Sequence, residues 1–180
     1  MLKNALIFTA CLLLAVATST SFSAWNPTEV EDYDNAAQIA LTAFKEKDPK
    51  IQKFIDAAAG YVVLPTVGKG GFGIGGARGR GILYEGGVII AMVTMTQLSI
   101  GFQAGGQAYA EFIFFEDDET LENFKHGNYE LGAQVSAVAI TAGASADASF
   151  DGGMAIFTQA KGGFMYEASV GGQKFKVELK

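Results

Sequence analysis

Glycine and proline are segregated along this chain. All 23 glycines lie between Gly60 and Gly172, whereas Pro27, Pro49 and Pro65 stand at or before the start of that stretch. Glycine at this density disfavours long helices, and a proline-free backbone after Pro65 can place every amide in a β-ladder. The chain therefore divides into an N-terminal helical part and a longer part built from strands, in which glycine marks corners, bulges and close approaches.

The first residues read as an export signal. Lys3 is followed by an apolar run from Ala5 to Ala17 and then by the small polar stretch TSTSFSA, too short to span a bilayer. Cleavage fits after Ser23, with Ala24 as the second choice, so residues 1–23 form the leader and 24–180 a single domain. Cys11, the only cysteine, falls inside the leader, and the mature chain needs no disulfide in an oxidising compartment. FTAC loosely resembles a lipoprotein cleavage site, but few apolar residues precede it, so ordinary cleavage is preferred. The mature chain carries 12 basic and 19 acidic side chains, a net of about −7, which argues against a nucleic-acid partner held by phosphate neutralisation.

Thr28 opens a capping box with Glu31, predicting a helix over 29–47 whose buried stripe is Val30, Tyr33, Ala37, Leu41 and Phe44. Asp48 and Pro49 open a second helix with Ile51, Phe54, Ile55 and Ala58 inward and Gly60 as its left-handed stop. From Phe72 to Phe115 the pattern is that of three strands, with turns at Glu85-Gly86-Gly87 and near Leu98. Arg78 and Arg80 share the parity of Phe72, Ile74, Ile82 and Tyr84, so a bulge or bend between Gly75 and Gly81 is expected to keep the charges out of the core. Four carboxylates, Glu116 to Glu119, precede a short helix that buries Leu121 and Phe124 and stops at Gly127; they lack calcium-loop spacing and read as a solvated helix start. The last third holds weaker, alanine-rich strands, with Asp151-Gly152-Gly153 as a hairpin turn.

The chemistry-bearing residues are few. Gly71, Gly73 and Gly76 match a dinucleotide fingerprint in form, but no helix can follow them. His126, the only histidine, sits at a helix end, where it caps carbonyls. No catalytic set, metal site or cofactor is expected, and Glu85, Glu111 and Asp147 form no spaced pair. KGGF occurs at Lys69 to Phe72 and again at Lys161 to Phe164, with GFQAGGQ between. Between Gly60 and Phe115, Lys69, Arg78 and Arg80 outnumber Glu85 and Glu111, a basic segment able to meet phosphate beside open glycine backbone.

The strings AAAGYVVLP, KGGFGIGGARGRG, SIGFQAGGQ, FIFF, LENF and KGGFMYEASVGG, in that order from about Ala36 to Val177, resemble the SYLF domain family. The resemblance implies a non-enzymatic lipid-binding domain, with actin as a partner of some eukaryotic members, and it implies that exported single-domain bacterial members exist. Glu29, Glu31, Asp32 and Asp34 make the first helix acidic where animal relatives use it at membranes. Actin is set aside, because an exported protein would not meet a cytoplasmic filament.

Taken together, the sequence predicts an α+β domain with N-terminal helices packed on a strongly bent, antiparallel, barrel-like sheet and one short helix mid-chain. The expected function is binding of anionic phospholipid or a membrane surface at the envelope, in the periplasm or outside the cell. Lys69, Arg78, Arg80 and Lys161 would meet headgroups, with Phe72 and Phe164 touching acyl chains or filling the core. The rivals are a small outer-membrane β-barrel or structural envelope protein, and a hydrolase with a concealed carboxylate pair.

Overall fold

Pro27 supplies a fixed φ and lacks the amide that a helix start would leave unpaired, so the chain can turn helical immediately after Asn26. In the computed structural model α1 spans Pro27–Lys47, and the Asn26 side chain accepts from the amides of Thr28 and Glu29 at 3.1 and 3.5 Å. The cap is therefore two residues earlier than the Thr28 box predicts, because Asn26 with Pro27 behind it outcompetes the threonine. The structure describes residues 26–127, 129–132, 135–162 and 170–180, excluding the side chains of 72–74, 99–105 and 162. The leader, Cys11 and Phe164 lie outside the described residues, as does the side chain of Phe72.

Asp48 ends α1 and caps the next turn. Its backbone amide donates to Phe44, and its side chain accepts from the Lys50 amide at 3.2 Å and the Ser145 amide at 2.7 Å. A single 3-10 turn, Pro49–Ile51, leads into α2, Gln52–Ala57. Asp48 is fully buried, and burial raises its carboxyl pKa, but the amides of Ser145 and Lys50 outweigh that and hold it below the usual aspartate range. Asp48→Ala should therefore cost about 2–3 kcal/mol by orphaning both amides, read as a lower urea midpoint. The depressed pKa makes the contribution full above the unfolded value of 3.8 and lost as the pH falls through the folded one.

Gly60 does not stop α2, as the sequence suggests; the cap is Ala58, in extended conformation. Gly60 instead begins β1, Gly60–Glu85, where an added Cβ would stand 2.8 Å from the Tyr84 carbonyl oxygen. After the Gly86-Gly87 turn, β2 runs unbroken over Val88–Phe115 and pairs with β1 along its whole length. The expected turn near Leu98 does not occur. Register shifts at Leu64/Val67, Phe72/Ile74 and Leu83/Tyr84 let both strands bend without one.

The bend brings the first half of β1 onto its own second half. Added Cβ atoms at Gly79 and Gly81 would run into Thr66–Val67 and Val63–Leu64 respectively, so these glycines let the two half-strands touch backbone to backbone. The far edge of β2 is shared: Ala91 to Gln97 pair with β6, Gln173–Leu179, and Ala108 to Phe115 with β5, Met154–Gly162. Two-residue strands β3, Tyr129–Glu130, and β4, Val138–Ala139, complete a sheet of six strands among the described residues, antiparallel except where β4 joins β5. The chain is thus α+β with a strongly bent, half-barrel sheet.

Both faces of that sheet are packed. The inner face gathers Val62, Leu64, Val93, Met95, Ile113 and Phe175. Leu121 and Phe124 of α3, Asp118–Lys125, close over the same cluster, with Asp117 capping α3 through the Thr120 amide at 2.8 Å. On the outer face α1 and α2 bury Phe44 and Phe54 against Phe112, Phe114 and Phe157, with Phe44 and Phe112 ring centroids 4.6 Å apart. Gly127 has φ +79° just after α3, and His126 Nδ1 lies 2.6 Å from the Glu122 carbonyl oxygen, both as the sequence predicts. Gly152 and Gly153, both at positive φ, make the expected turn, bridged by Asp151 and Met154.

Candidate functional site

The outer face of the sheet is only partly covered. Between Ile74 and Leu83 the register is unbroken, so no bulge separates Arg78 and Arg80 from Ile82. All three share one face: α1 buries Ile82 and leaves the arginines toward solvent. The expected bulge is therefore absent from this stretch, and helix coverage, rather than a change of parity, keeps the charges out of the core.

Across the strands this open face is ordered in rows. Arg78 pairs with Thr96 and Thr96 with Lys174; one step along, Arg80 pairs with Thr94 and Thr94 with Lys176. Four cations thus flank two threonine hydroxyls on β1, β2 and β6. Sequence reasoning missed Lys174 and Lys176, although the alternation in QKFKVEL, with Gln173 and Phe175 inward, is the period-2 signal that places them outward.

Three of the four cations already have acidic neighbours. Arg80 is ion-paired with Glu29 of α1 and lies 5.5 Å from the Tyr33 ring centroid. Lys174 stands 3.3 Å from Glu130, and Lys176 stands 2.8 Å from Glu178. Arg78 is exposed and makes no ion pair among the described residues. It also lines two depressions. One, of about 370 Å³, lies against α1 at Tyr33, Pro65 and Thr66; the other, of about 690 Å³, lies toward Gln97, Leu98 and Lys174.

Lys161 donates to Thr66 Oγ1 at 3.0 Å, and Thr66 lines the smaller depression together with Arg78 and Arg80. Lys69 pairs across strands with Gln107 and lines neither depression. The two KGGF strings begin at the same end of the sheet, since Gly68, Ala108 and Gly162 are in register.

Inside the curl lies a second polar group that sequence reasoning also missed. Glu111 is fully buried and accepts from Gln173 Nε2 at 3.0 Å; among the described residues its other oxygen and the hydroxyl of its cross-strand partner Thr158 have no hydrogen-bond partner. Burial pushes the Glu111 carboxyl up to about 7, the Gln173 bond offsetting only part of this. Tyr109, on the same face, is raised by burial and by the nearby carboxylate. The legible signal was an isolated acid within the apolar run YAEFIFF. Glu111 faces the Gln173 amide and lies across the ladder from the Thr158 hydroxyl.

Residues 96–178 match the Ysc84 family, described as Las17-binding protein actin regulator. Over this stretch the chain is similar to the Ysc84, or SYLF, domain. It runs from Thr96 on the open face to Glu178 on β6, taking in Glu111, Lys161, Lys174 and Lys176 and leaving Lys69, Arg78 and Arg80 before it. A similar protein is Beta cell expansion factor A of Aeromonas veronii, 31% identical over 74 residues, which are 41% of this chain and 28% of that protein. The chain thus matches less than a third of that relative's length. The SYLF family is linked in general to actin and lipid binding, and the resemblance drawn from the glycine strings agrees with the match over its C-terminal part.

Proposed function

We propose that this chain is a non-enzymatic binder of anionic phospholipid that presents the open outer face of β1, β2 and β6 to a headgroup layer. The observation that carries the reading is the pair of rows Arg78–Thr96–Lys174 and Arg80–Thr94–Lys176, which sets cations and hydroxyls about one strand spacing apart on a surface that the helices leave uncovered. Glu29, Glu130 and Glu178 offset much of this charge, so binding rests on Arg78, which has no ion pair among the described residues, and on phosphate oxygens replacing carboxylates beside the lysines. Affinity is accordingly modest and salt-sensitive. The export signal expected over residues 1–23 supports an envelope location, where cytoplasmic actin would be out of reach.

Flotation with phosphatidylglycerol vesicles at low salt tests the reading. The unaltered chain should float, and Arg78→Glu combined with Lys174→Glu should leave it at the bottom of the gradient. Vesicle binding that persists in the double variant would place the contact elsewhere. Arg80→Glu should instead loosen α1 through the Glu29 pair, appearing mainly as lost stability.

The spanning-barrel alternative loses support from the same face. A lipid-facing wall needs an apolar outer band, whereas here α1 and α2 cover one part of the outer surface and four cations occupy another.

A further inference from the structure

We propose that the larger depression beside Arg78 holds a single anionic amphiphile, its charged head between Arg78 and Lys174 and its hydrocarbon along Gly68, Gly76, Ala77 and Leu98. This rests on the lipid-binding reading and deepens it from contact with a surface to capture of one molecule. Gly68 and Gly76 lack the usual reasons for glycine. Neither has a positive φ; a Cβ on Gly68 would meet nothing within 4 Å, and one on Gly76 would make only a 3.4 Å contact with the Gln97 carbonyl oxygen. What they leave is open space, in contrast to Gly79 and Gly81 on the same strand, which are pressed against backbone.

The space has the dimensions and polarity of a ligand site. Its volume of about 690 Å³ falls within the range of small-molecule pockets. Leu98, directly across the ladder from Gly76, is 86% exposed at its rim, in mid-strand rather than in a turn. Gln97 forms the floor and is held by donating Nε2 to the Gly171 carbonyl at 2.9 Å. The cations stand on one side of the opening, where, among the described residues, Arg78 has no ion pair and Lys174 has the exposed Glu130 to exchange for a phosphate or carboxylate. A head with a tail satisfies both sides; a free anion would leave Leu98 and the glycine wall bare.

Calorimetric titration with dihexanoyl phosphatidic acid below its micelle concentration, beside dihexanoyl phosphatidylcholine and inorganic phosphate, tests this. Saturable binding of one phosphatidic acid per chain is expected, with both comparison compounds at least tenfold weaker. Gly68→Val should fill the slot and Leu98→Ser should strip its rim. Each should weaken phosphatidic acid at least tenfold with the thermal midpoint unmoved, since neither side chain is packed. Phosphate or phosphatidylcholine binding as tightly as phosphatidic acid, or unaltered affinity in both variants, would overturn the proposal. If vesicles float but the monomeric lipid does not bind, the slot falls and the surface reading stands; if neither binds, both fall.

Discussion

Raising the pH from 5 to 8 will destabilise this protein, and Glu111→Gln will remove most of that dependence. The Glu111 carboxyl is enclosed among apolar inner-face residues, with one hydrogen bond from Gln173, and its pKa is raised from 4.5 to about 7. An acid whose folded pKa is raised binds its proton more tightly in the folded state. Its contribution is therefore intact below about 4.5, declines as the pH climbs, and is exhausted once the pH has passed about 7. A displacement of this size corresponds to about 3 kcal/mol, or roughly 5–10 °C in thermal midpoint for a chain of this length. Glutamine keeps the shape and the neutrality of the protonated acid, so Glu111→Gln should melt at a nearly constant temperature across the same range. Melting curves for both forms at several pH values decide it, and an unaltered slope in the variant would mean that another group sets it.

The place where this strain acts is set by topology. Gln173 lies opposite Gln97 on the first half of β2, whereas Glu111 belongs to the second half, so their hydrogen bond crosses the interior and ties the two halves of the curl. Asp48 has the opposite sign, its contribution being lost in acid. The two carboxyls together place maximal stability in mildly acidic solution.

Gly81→Ala will be the most damaging single methyl among the glycines whose surroundings are described. Its Cβ would overlap the Val63 carbonyl oxygen and stand 2.8 Å from Leu64 Cα, and both are backbone atoms fixed in a paired strand. No side chain can rotate away, so the two halves of β1 must separate and expose Val62, Leu64 and Leu83 from the inner core. A loss of about 3 kcal/mol or more is expected. Gly68→Ala, on the same strand, adds the same methyl to empty space and should change stability by less than about 0.5 kcal/mol in either direction. Urea midpoints of the two variants make the comparison. Equal effects would show that glycine content as such, and not the crossing of the half-strands, governs this sheet.

Local signals were legible where local physics decides. Asp48-Pro49, an acidic start of α3 within Glu116 to Glu119, the cap at Gly127 and the Gly86-Gly87 and Gly152-Gly153 turns all depend on a few neighbouring backbone groups. The turn expected near Leu98 failed because register shifts and glycines let a strand bend while it stays paired, and nothing within a few residues distinguishes the two outcomes. For the candidate site, Arg78, Arg80 and Lys161 were selected by charge; the fold sets the two arginines on one depression with Thr66, to which Lys161 donates. Lys174 and Lys176 join the two arginines only through pairing over nearly a hundred residues, and Glu111 acquired its significance only when burial was known.

By itself, the sequence determined the helical start, the proline-free and glycine-rich strands, the acidic balance and the order of glycine strings that marks the family. These are properties of composition and near neighbours, and they survive any long-range arrangement. The tertiary structure decided which glycines serve contact and which leave space. It also decided which charges share a face and which carboxyl lies in the closed interior, because each of those depends on how two long strands fold back across themselves.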